Sequence, residues 1–392
     1  MSRNNRISLL LIAPLLALVM AGFILPIGYT LLKAIDNPQV TAALPRTTAL
    51  LSQWDGRAVP DEGVFVAFME DMTTSRENRT FGSMTRRLNF EENGARTLLL
   101  SARRAAPELS APYSVSLPER VPEFGEPGIW RLIKAHSNPF TASYLLRALD
   151  LRIASSGQIV SVDDDQAIFL DLFERTFVIS IWVTVFCVLL GYPTAYFISS
   201  LSDRAASYAM LFVLIPFWTS ILVRTTAWFI LLQREGPVNA TLLGAGIVSE
   251  PVDMIFTRFA VYVAMVHVLL PFLILPLYSV MKRQRSEYLK AAASLGAPPW
   301  RQFVSIYLPM TMPGVAAGAV IVFMLSVGFY VTPALVGGLQ DQMVSYYIAF
   351  FANQTINLGM VAALAFLLLL FTAISVAVTR KLVPGLGGTI KA

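Results

Sequence analysis

Six stretches of this chain, near Ile7–Leu32, Thr176–Ser200, Tyr208–Leu232, Phe256–Met281, Gly314–Leu335 and Leu358–Thr379, are apolar over most of their length. Each is long enough for the roughly 20 helical residues that cross the hydrocarbon core of a bilayer. Backbone amides in hydrocarbon must be paired within the protein, so runs of this length predict spanning helices. The expected fold class is therefore an all-α membrane protein with six transmembrane helices. With 55% of 392 residues hydrophobic and only 14% charged, an ordinary soluble chain is excluded. The third and fifth runs are interrupted by Pro or Gly. The first follows Arg3 and Arg6, but it is too long for a signal-peptide core and lacks a clean small-x-small cleavage site, so it reads as an uncleaved anchor.

Orientation follows from the basic residues. A cytoplasmic N-terminus puts Arg3, Arg6, Arg204, Lys282, Arg283, Arg285, Lys290, Arg301, Arg380, Lys381 and Lys391 inside, as the positive-inside tendency demands, with Arg234 and Arg258 as exceptions outside. The chain then divides into residues 1–35 (cytoplasmic N-terminus and first span), 36–168 (a periplasmic insertion), 169–383 (a five-helix core with a cytoplasmic loop at about 284–312) and 384–392 (a cytoplasmic tail). From Asp36 to Asp165 there are 14 basic and 17 acidic side chains, so the overall charge of +5 comes from the membrane part. That excess is a topology signal, and nucleic acid is not an expected partner.

The insertion is far beyond ordinary loop length. Phe65, Phe68, Met69 and Met72 fall at i, i+3, i+4 and i+7, a second helix-like run covers Ala95–Ala105 after the turn "ENG", and a third covers Phe140–Leu149. The mostly helical domain so predicted is crossed by an irregular Pro-rich connector, "PELSAPYSVSLPERVPEFGEPG". Trp54, Trp130 and Tyr144 serve it either as core anchors or as a binding surface.

Enzyme chemistry finds little to work with. None of the six lysines completes a G-x-x-x-x-G-K-[ST] phosphate loop, and neither H-E-x-x-H nor G-x-S-x-G occurs. With His136, His267 and Cys187 the only His and Cys ligands, no metal site and no cofactor are expected. Two ionisable residues fall inside apolar runs, Arg224 and His267, and such residues mark candidate functional sites. His267 reads first as a neutral imidazole bonded between helices, and Arg224 as a group facing a cavity, a partner chain or the interface. With the aromatics Trp218, Trp228 and Tyr330, they form the candidate lining of a translocation path, although aromatics also anchor spans at membrane interfaces.

The most specific stretch is "KAAASLGAPPWRQFVSIYLP", Lys290–Pro309. Glu287–Leu295 is rich in helix formers, Gly296 suits the left-handed end of a helix, and Pro298 and Pro299 suit the first turn of another. A helix, a sharp turn and a second helix follow, with Pro309 and Pro313 framing the start of the next span. Ala291, Ala292 and Ala293 keep the first helix slim, so it fits either a groove in another protein or the lipid headgroups.

This stretch resembles the cytoplasmic EAA loop of permease subunits of ATP-binding-cassette importers, whose pattern is E-A-A, three residues, G, about nine residues, then an apolar residue, x and L-P. The matching positions are Lys290, Ala291, Ala292, Gly296, Ile306, Leu308 and Pro309, with Ala297 and Trp300 inside the same loop. The segments "RTFVISIWVTVFCVLLGYPTAYFIS", "IPFWTSILVRTTAWFILLQREGPVNATLL", "VHVLLPFLILPLYSVM" and "MLSVGFYVTPALVGG" look like spans of the spermidine/putrescine class. The resemblance covers roughly Arg175–Val383 and the first span. It implies a type I importer fold and a loop that docks on two nucleotide-binding ATPase subunits. A second homologous permease, a periplasmic substrate-binding protein and a small-molecule substrate, most naturally a polyamine, are implied as further partners. ATP hydrolysis then belongs to a partner chain. Lys290 stands where the family pattern has glutamate, with Glu287 one helical turn earlier on nearly the same face. Opine, iron and thiamine importers have related permeases. A secondary transporter and a membrane-anchored periplasmic sensor or assembly protein are the rivals from other classes; the first would need intramembrane carboxylates that the runs lack outside their ends.

Overall fold

The structure is a computed structural model that describes residues 12–153, 158–284 and 286–382. Arg3, Arg6, Arg285 and Lys391 lie outside the described residues. In chain order the helices are α1 (Ile12–Leu32), α2 (Gln39–Ala43), α3 (Pro45–Gln53), α4 (Glu62–Glu77), α5 (Phe81–Glu91), α6 (Ala95–Ala105), α7 (Tyr113–Arg120), α8 (Pro127–Ala135) and α9 (Ser143–Arg147). Strands β1 (Leu151–Ile153) and β2 (Ile159–Ser161) pair antiparallel, Arg152 opposite Val160. There follow α10 (Phe169–Ser200), α11 (Asp203–Trp218), α12 (Ile221–Leu231), α13 (Pro237–Gly244), α14 (Arg258–Lys282), α15 (Ser286–Ser294), α16 (Pro299–Val327), α17 (Val331–Val336), α18 (Val344–Phe350) and α19 (Leu358–Leu382). Among the described residues the fold is all-α apart from that small hairpin and one isolated bridge between Asp36 and Phe140.

Among the described residues five helices are long and apolar enough to span: α1, α10, α14, α16 and α19. The sixth expected span is the pair α11 and α12, bent by 96° at Thr219–Ser220. The corner is locally satisfied: the Thr219 hydroxyl donates to the Pro216 carbonyl at 3.0 Å, and the Ser220 hydroxyl accepts from the Leu222 amide at 3.2 Å as an N-cap. The fifth span differs from the expected Gly314–Leu335. It starts at Pro299 and ends at Val327, and Gly328 separates it from the short α17. Pro309 and Pro313 sit within this helix. A π-turn over Phe303–Tyr307, closed by the Leu308 amide on the Phe303 carbonyl, widens the ladder just where Pro309 has no N–H to offer.

The chain separates into two compact units, residues 1–167 with 351–366, and residues 168–350 with 367–392. In the first, Phe65, Phe68, Phe124 and Trp130 form an aromatic core. Phe65 and Trp130 meet edge-on at 4.7 Å, Phe68 and Trp130 at 5.3 Å, and the Trp130 indole N–H donates to the Phe124 carbonyl at 3.1 Å. Leu44, Leu51, Met84, Leu88, Leu99, Leu117 and Ile133 are fully buried around them. The Pro-rich connector is not wholly irregular, because it contains α7. That helix is capped from afar by the Glu62 carboxylate, which accepts from the Tyr113 amide at 2.6 Å and the Ser114 amide at 2.7 Å. The run Phe140–Leu149 is helical only over α9.

The second unit is organised by close approach of α10, α14 and α16. Gly191 lies against Leu273, and Gly314 and Gly318 against Leu277, Val280 and Leu273, where a side chain would not fit. Cys187 is buried in this packing, its thiol donating weakly to the Val266 carbonyl at 3.9 Å. Lys282 meets Asp203 at 2.8 Å at one end of the bundle, and Arg258 Nε meets Asp341 at 2.9 Å at the other. The described residues at the Lys282 end include Arg204, Arg283, Lys290 and Arg301 but only two carboxylates near them in sequence, Asp203 and Glu287.

Candidate functional site

The loop between α14 and α16 is built from the helix-forming run upward. Along α15, Leu289 and Ala292 turn inward, Leu289 packing on the cluster of Ile198, Leu277, Met281 and Tyr307. One helical stripe away, Tyr288, Ala291 and Leu295 face outward at i, i+3 and i+7. The helix then stops because Gly296 adopts φ +81°, with the Gly296 amide on the Ala293 carbonyl at 2.9 Å and the Ala297 amide on the Ala292 carbonyl at 3.0 Å. These two bonds make the Schellman pattern of a glycine-terminated helix. Pro298 is extended, Pro299 occupies the first turn of α16, and the Gln302 side chain closes the turn on the Ala297 carbonyl at 2.7 Å.

The base of this element is fastened to the bundle. The Gln284 amide donates to the Met310 carbonyl at 2.9 Å, and the Tyr192 and Thr311 hydroxyls meet at 3.0 Å. Phe303 and Tyr307 pack on Tyr196, with ring centroids 5.7 and 5.3 Å apart. The tip is left apolar and open: Leu295 is 88% exposed and Trp300 68% exposed. Glu287 and Lys290 are exposed beside it, and neither forms an ion pair among the described residues. Pro309, also exposed, lies beyond the π-turn at the foot of α16.

Of the residues singled out inside the membrane, three come together. Arg224 and Trp228 are one turn apart on α12, and the Trp228 indole N–H donates to His267 Nδ1 on α14 at 3.2 Å. His267 therefore accepts at Nδ1 and carries its proton on Nε2 in the neutral form. Arg224 Nε is buried without a hydrogen-bond partner among the described residues. Trp218, at the end of α11, is 73% exposed, and Tyr330 precedes α17; among the described residues neither makes a ring contact or hydrogen bond with this group. The Thr225–Thr332 hydroxyl contact at 3.1 Å, which links α12 to α17 beside Arg224, has no signal in the sequence.

A polytopic α-helical membrane protein with a fastened helix–Gly–helix element at the basic end of its bundle is thus the class that fold and site define. Residues 177–388 match the family described as binding-protein-dependent transport system inner membrane component. The chain belongs to this family, the permeases of ATP-binding-cassette importers, which is one of transport components rather than enzymes. It is 35% identical over 161 residues to the spermidine/putrescine transport system permease protein PotB of Salmonella typhimurium and 36% identical over 161 residues to that of Haemophilus influenzae. Each of these matches covers 41% of this chain and 56% of the relative, so the chain spans about half the length of the curated relatives it matches. The molybdenum transport system permease protein ModB of Mycobacterium bovis is 29% identical over 194 residues, covering 49% of this chain and 72% of the relative. Among solved structures, a chain of a bacterial alginate ABC transporter in complex with an alginate pentasaccharide-bound periplasmic protein aligns with a TM-score of 0.48 and 18% identity, over 55% of this chain and 78% of that one.

Proposed function

We propose that this chain is a permease subunit that imports a polyamine such as putrescine or spermidine across the inner membrane, moved by ATP hydrolysis on two partner nucleotide-binding subunits. A second, homologous permease completes the path, a periplasmic binding protein delivers the solute, and the N-terminus faces the cytoplasm. The observation that carries this reading is the apolar tip of the α15–Gly296–α16 element, with Leu295 and Trp300 exposed on a base tied to α10 and the foot of α16. Leaving such side chains in water forgoes roughly 1.5–3 kcal/mol each, which docking in a groove recovers. A tip whose base is bonded at several points transmits motion as a lever, so closure of the ATPases shifts the permease between inward- and outward-facing states, provided each ligand prefers one state.

In this reading Glu287, Lys290, Ala291, Ala292, Gly296, Ala297, Trp300 and Pro309 form the docking loop. Lys290 reverses the family charge, so the facing ATPase surface carries an acid, or Glu287 makes the polar contact in its place. Arg224, Trp228 and His267, with Trp218 and Tyr330, line the path toward the second permease. The polyamine rests on resemblance to the PotB relatives. A second reading, import of an opine or another small organic acid, draws on Arg224, whose guanidinium has an unpartnered Nε that suits a carboxylate better than a polycation. A membrane-anchored periplasmic sensor or assembly protein is the alternative from another class, and it predicts no co-purifying ATPase.

The test is ATPase activity of the complex reconstituted with its binding protein, with putrescine, spermidine or an opine added. Stimulation by polyamine, lost in Leu295→Glu while the subunits stay assembled, supports the proposal. Stimulation by the opine alone replaces the substrate, and failure of this chain to recover any ATPase overturns the importer reading.

A further inference from the structure

The first compact unit contains a cavity of about 560 Å³ that the transport reading leaves without a role. Its walls come from α2, α5, the start of α6, Tyr144 of α9, and residues 351–359, all in that unit. Leu358 and Gly359 on its rim are the first residues of α19, an apolar span, and Gln39 follows the end of α1 by seven residues. Two of the lining segments thus adjoin apolar spans in the sequence, which brings them near the membrane surface.

Its charge runs against that of the surrounding domain. Between Asp36 and Asp165 acidic side chains outnumber basic ones by 17 to 14, yet the cavity is lined by Arg86, Arg87 and Arg96 and by no Asp or Glu. The three arginines are not equivalent. Arg87 is buried and spoken for: its Nε donates to Asn37 Oδ1 at 2.7 Å, its Nη1 to Glu91 at 2.5 Å, and its guanidinium lies 4.6 Å from the Tyr144 ring centre. It forms a fixed wall. Arg86 and Arg96 have no carboxylate partner among the described residues and are solvent-facing, each a planar fork that matches a phosphate.

The polar groups between them are unevenly used. Asn89 Oδ1 accepts from the Gly94 and Arg96 amides at 3.2 Å, and Asn357 Oδ1 accepts from the Met360 amide at 3.2 Å, which leaves both side-chain NH2 groups to donate. Gln39 Oε1, by contrast, is buried with no hydrogen-bond partner among the described residues. A buried acceptor left unmatched costs about 1–3 kcal/mol unless a donor reaches it. A fully deprotonated inorganic anion such as sulfate brings no such donor, whereas a phosphate ester carrying hydroxyl groups meets the arginines with its oxygens and Gln39 with a hydroxyl.

We propose that this cavity binds a hydroxyl-bearing phosphate ester, the chemistry shared by a phosphatidylglycerol headgroup and soluble glycerol phosphate, with Arg86 and Arg96 on the phosphate and Gln39 Oε1 on a hydroxyl. The position beside the first residues of α19 favours the lipid source. The site does not depend on which solute is transported, and it would tie the extra domain to the composition of the bilayer.

The experiment is native mass spectrometry of the full chain released from detergent, titrated separately with short-chain phosphatidylglycerol, short-chain phosphatidylcholine, glycerol phosphate and sulfate. The variants are the double change Arg86→Gln with Arg96→Gln, both at exposed positions, and Gln39→Leu; thermal unfolding confirms that each folds. Phosphatidylglycerol binding that exceeds phosphatidylcholine and weakens about tenfold or more in the double variant, as loss of charge-assisted hydrogen bonds predicts, supports the proposal with a lipid source. The same dependence on Arg86, Arg96 and Gln39 for glycerol phosphate alone supports it with a soluble source. Equal binding of both lipids, binding that ignores the arginines, equal preference for sulfate and glycerol phosphate, or arginine-dependent capture only of an acidic protein surface overturns it.

Discussion

Substituting Gly296 separates the backbone requirement of the proposed docking loop from its packing. Gly296 sits at φ +81°, and a Cβ built there meets nothing within 4 Å. Alanine therefore creates no clash with a neighbour, and its whole cost is that of holding an L-residue in the left-handed region, about 1–2 kcal/mol. That corresponds to a factor of roughly 5–30 in the fraction of loops holding the native turn. Asparagine visits this region more readily and should keep most of the function, while valine, branched at Cβ, should lose more than alanine. The expected order is glycine, asparagine, alanine, valine, in the affinity of the nanodisc-embedded complex for its ATPase subunits and in solute-stimulated hydrolysis. Surface-plasmon titration of the ATPase gives the first and a phosphate-release assay the second. If Gly296→Ala and Gly296→Asn behave alike, or if Gly296→Val is the mildest, the left-handed turn is not what the loop needs and the reasoning fails.

Two further outcomes are expected. Gly318→Ala would place its Cβ 2.9 Å from Leu273 Cδ1, 3.0 Å from its carbonyl oxygen and 3.1 Å from its Cα, and the last two are backbone that no rotamer relieves. The loss is about 1–3 kcal/mol, read as a lowered thermal midpoint in detergent, and an unchanged midpoint would contradict the close approach of α14 and α16. His136 in the extra domain is held down to about 4 by burial, with Glu91 opposing and Arg87 adding to the effect. Because the unfolded chain takes up this proton first, stability falls as pH drops from about 6.5 to about 4, by up to about 3 kcal/mol. The His136→Gln variant should remove that part of the acid sensitivity, measured as the difference between the two proteins' midpoints from neutral to mildly acid pH.

The residue pattern carried most of the local structure. Apolar length alone located α10, α14 and α19, and the spacing of Phe65, Phe68, Met69 and Met72 put the buried face of α4 where it lies. The start of α16 at Pro299 is legible from the paired prolines, but its continuity with the fifth span is not, because Pro309 and Pro313 frame a boundary in the sequence whereas a π-turn lets the helix run through them. The interruption in the third apolar run was visible at Pro216, but a 96° corner depends on how Thr219 and Ser220 bond and has no sequence period. Helix α7 was hidden because its cap, Glu62, lies about fifty residues upstream. The same holds for the arginine cavity: Arg87, Asn37 and Tyr144 are brought together only by the tertiary fold. In the loop, by contrast, Gly296, Pro298 and Pro299 dictate the turn through local dihedral limits, which is why a motif there can be read directly.

The burial of the chain's single thiol has a practical consequence for spectroscopy. Cys187 is enclosed between α10 and α14 and points at the Val266 carbonyl, so a water-soluble maleimide finds almost nothing to modify on the folded protein. Leu295→Cys or Trp300→Cys then carries a lone spin label or fluorophore on the tip of the loop, and Cys187→Ala removes the remaining background. Distances from such a probe to one on a partner chain, followed through a cycle of nucleotide binding and release, would record the stroke of the proposed lever directly.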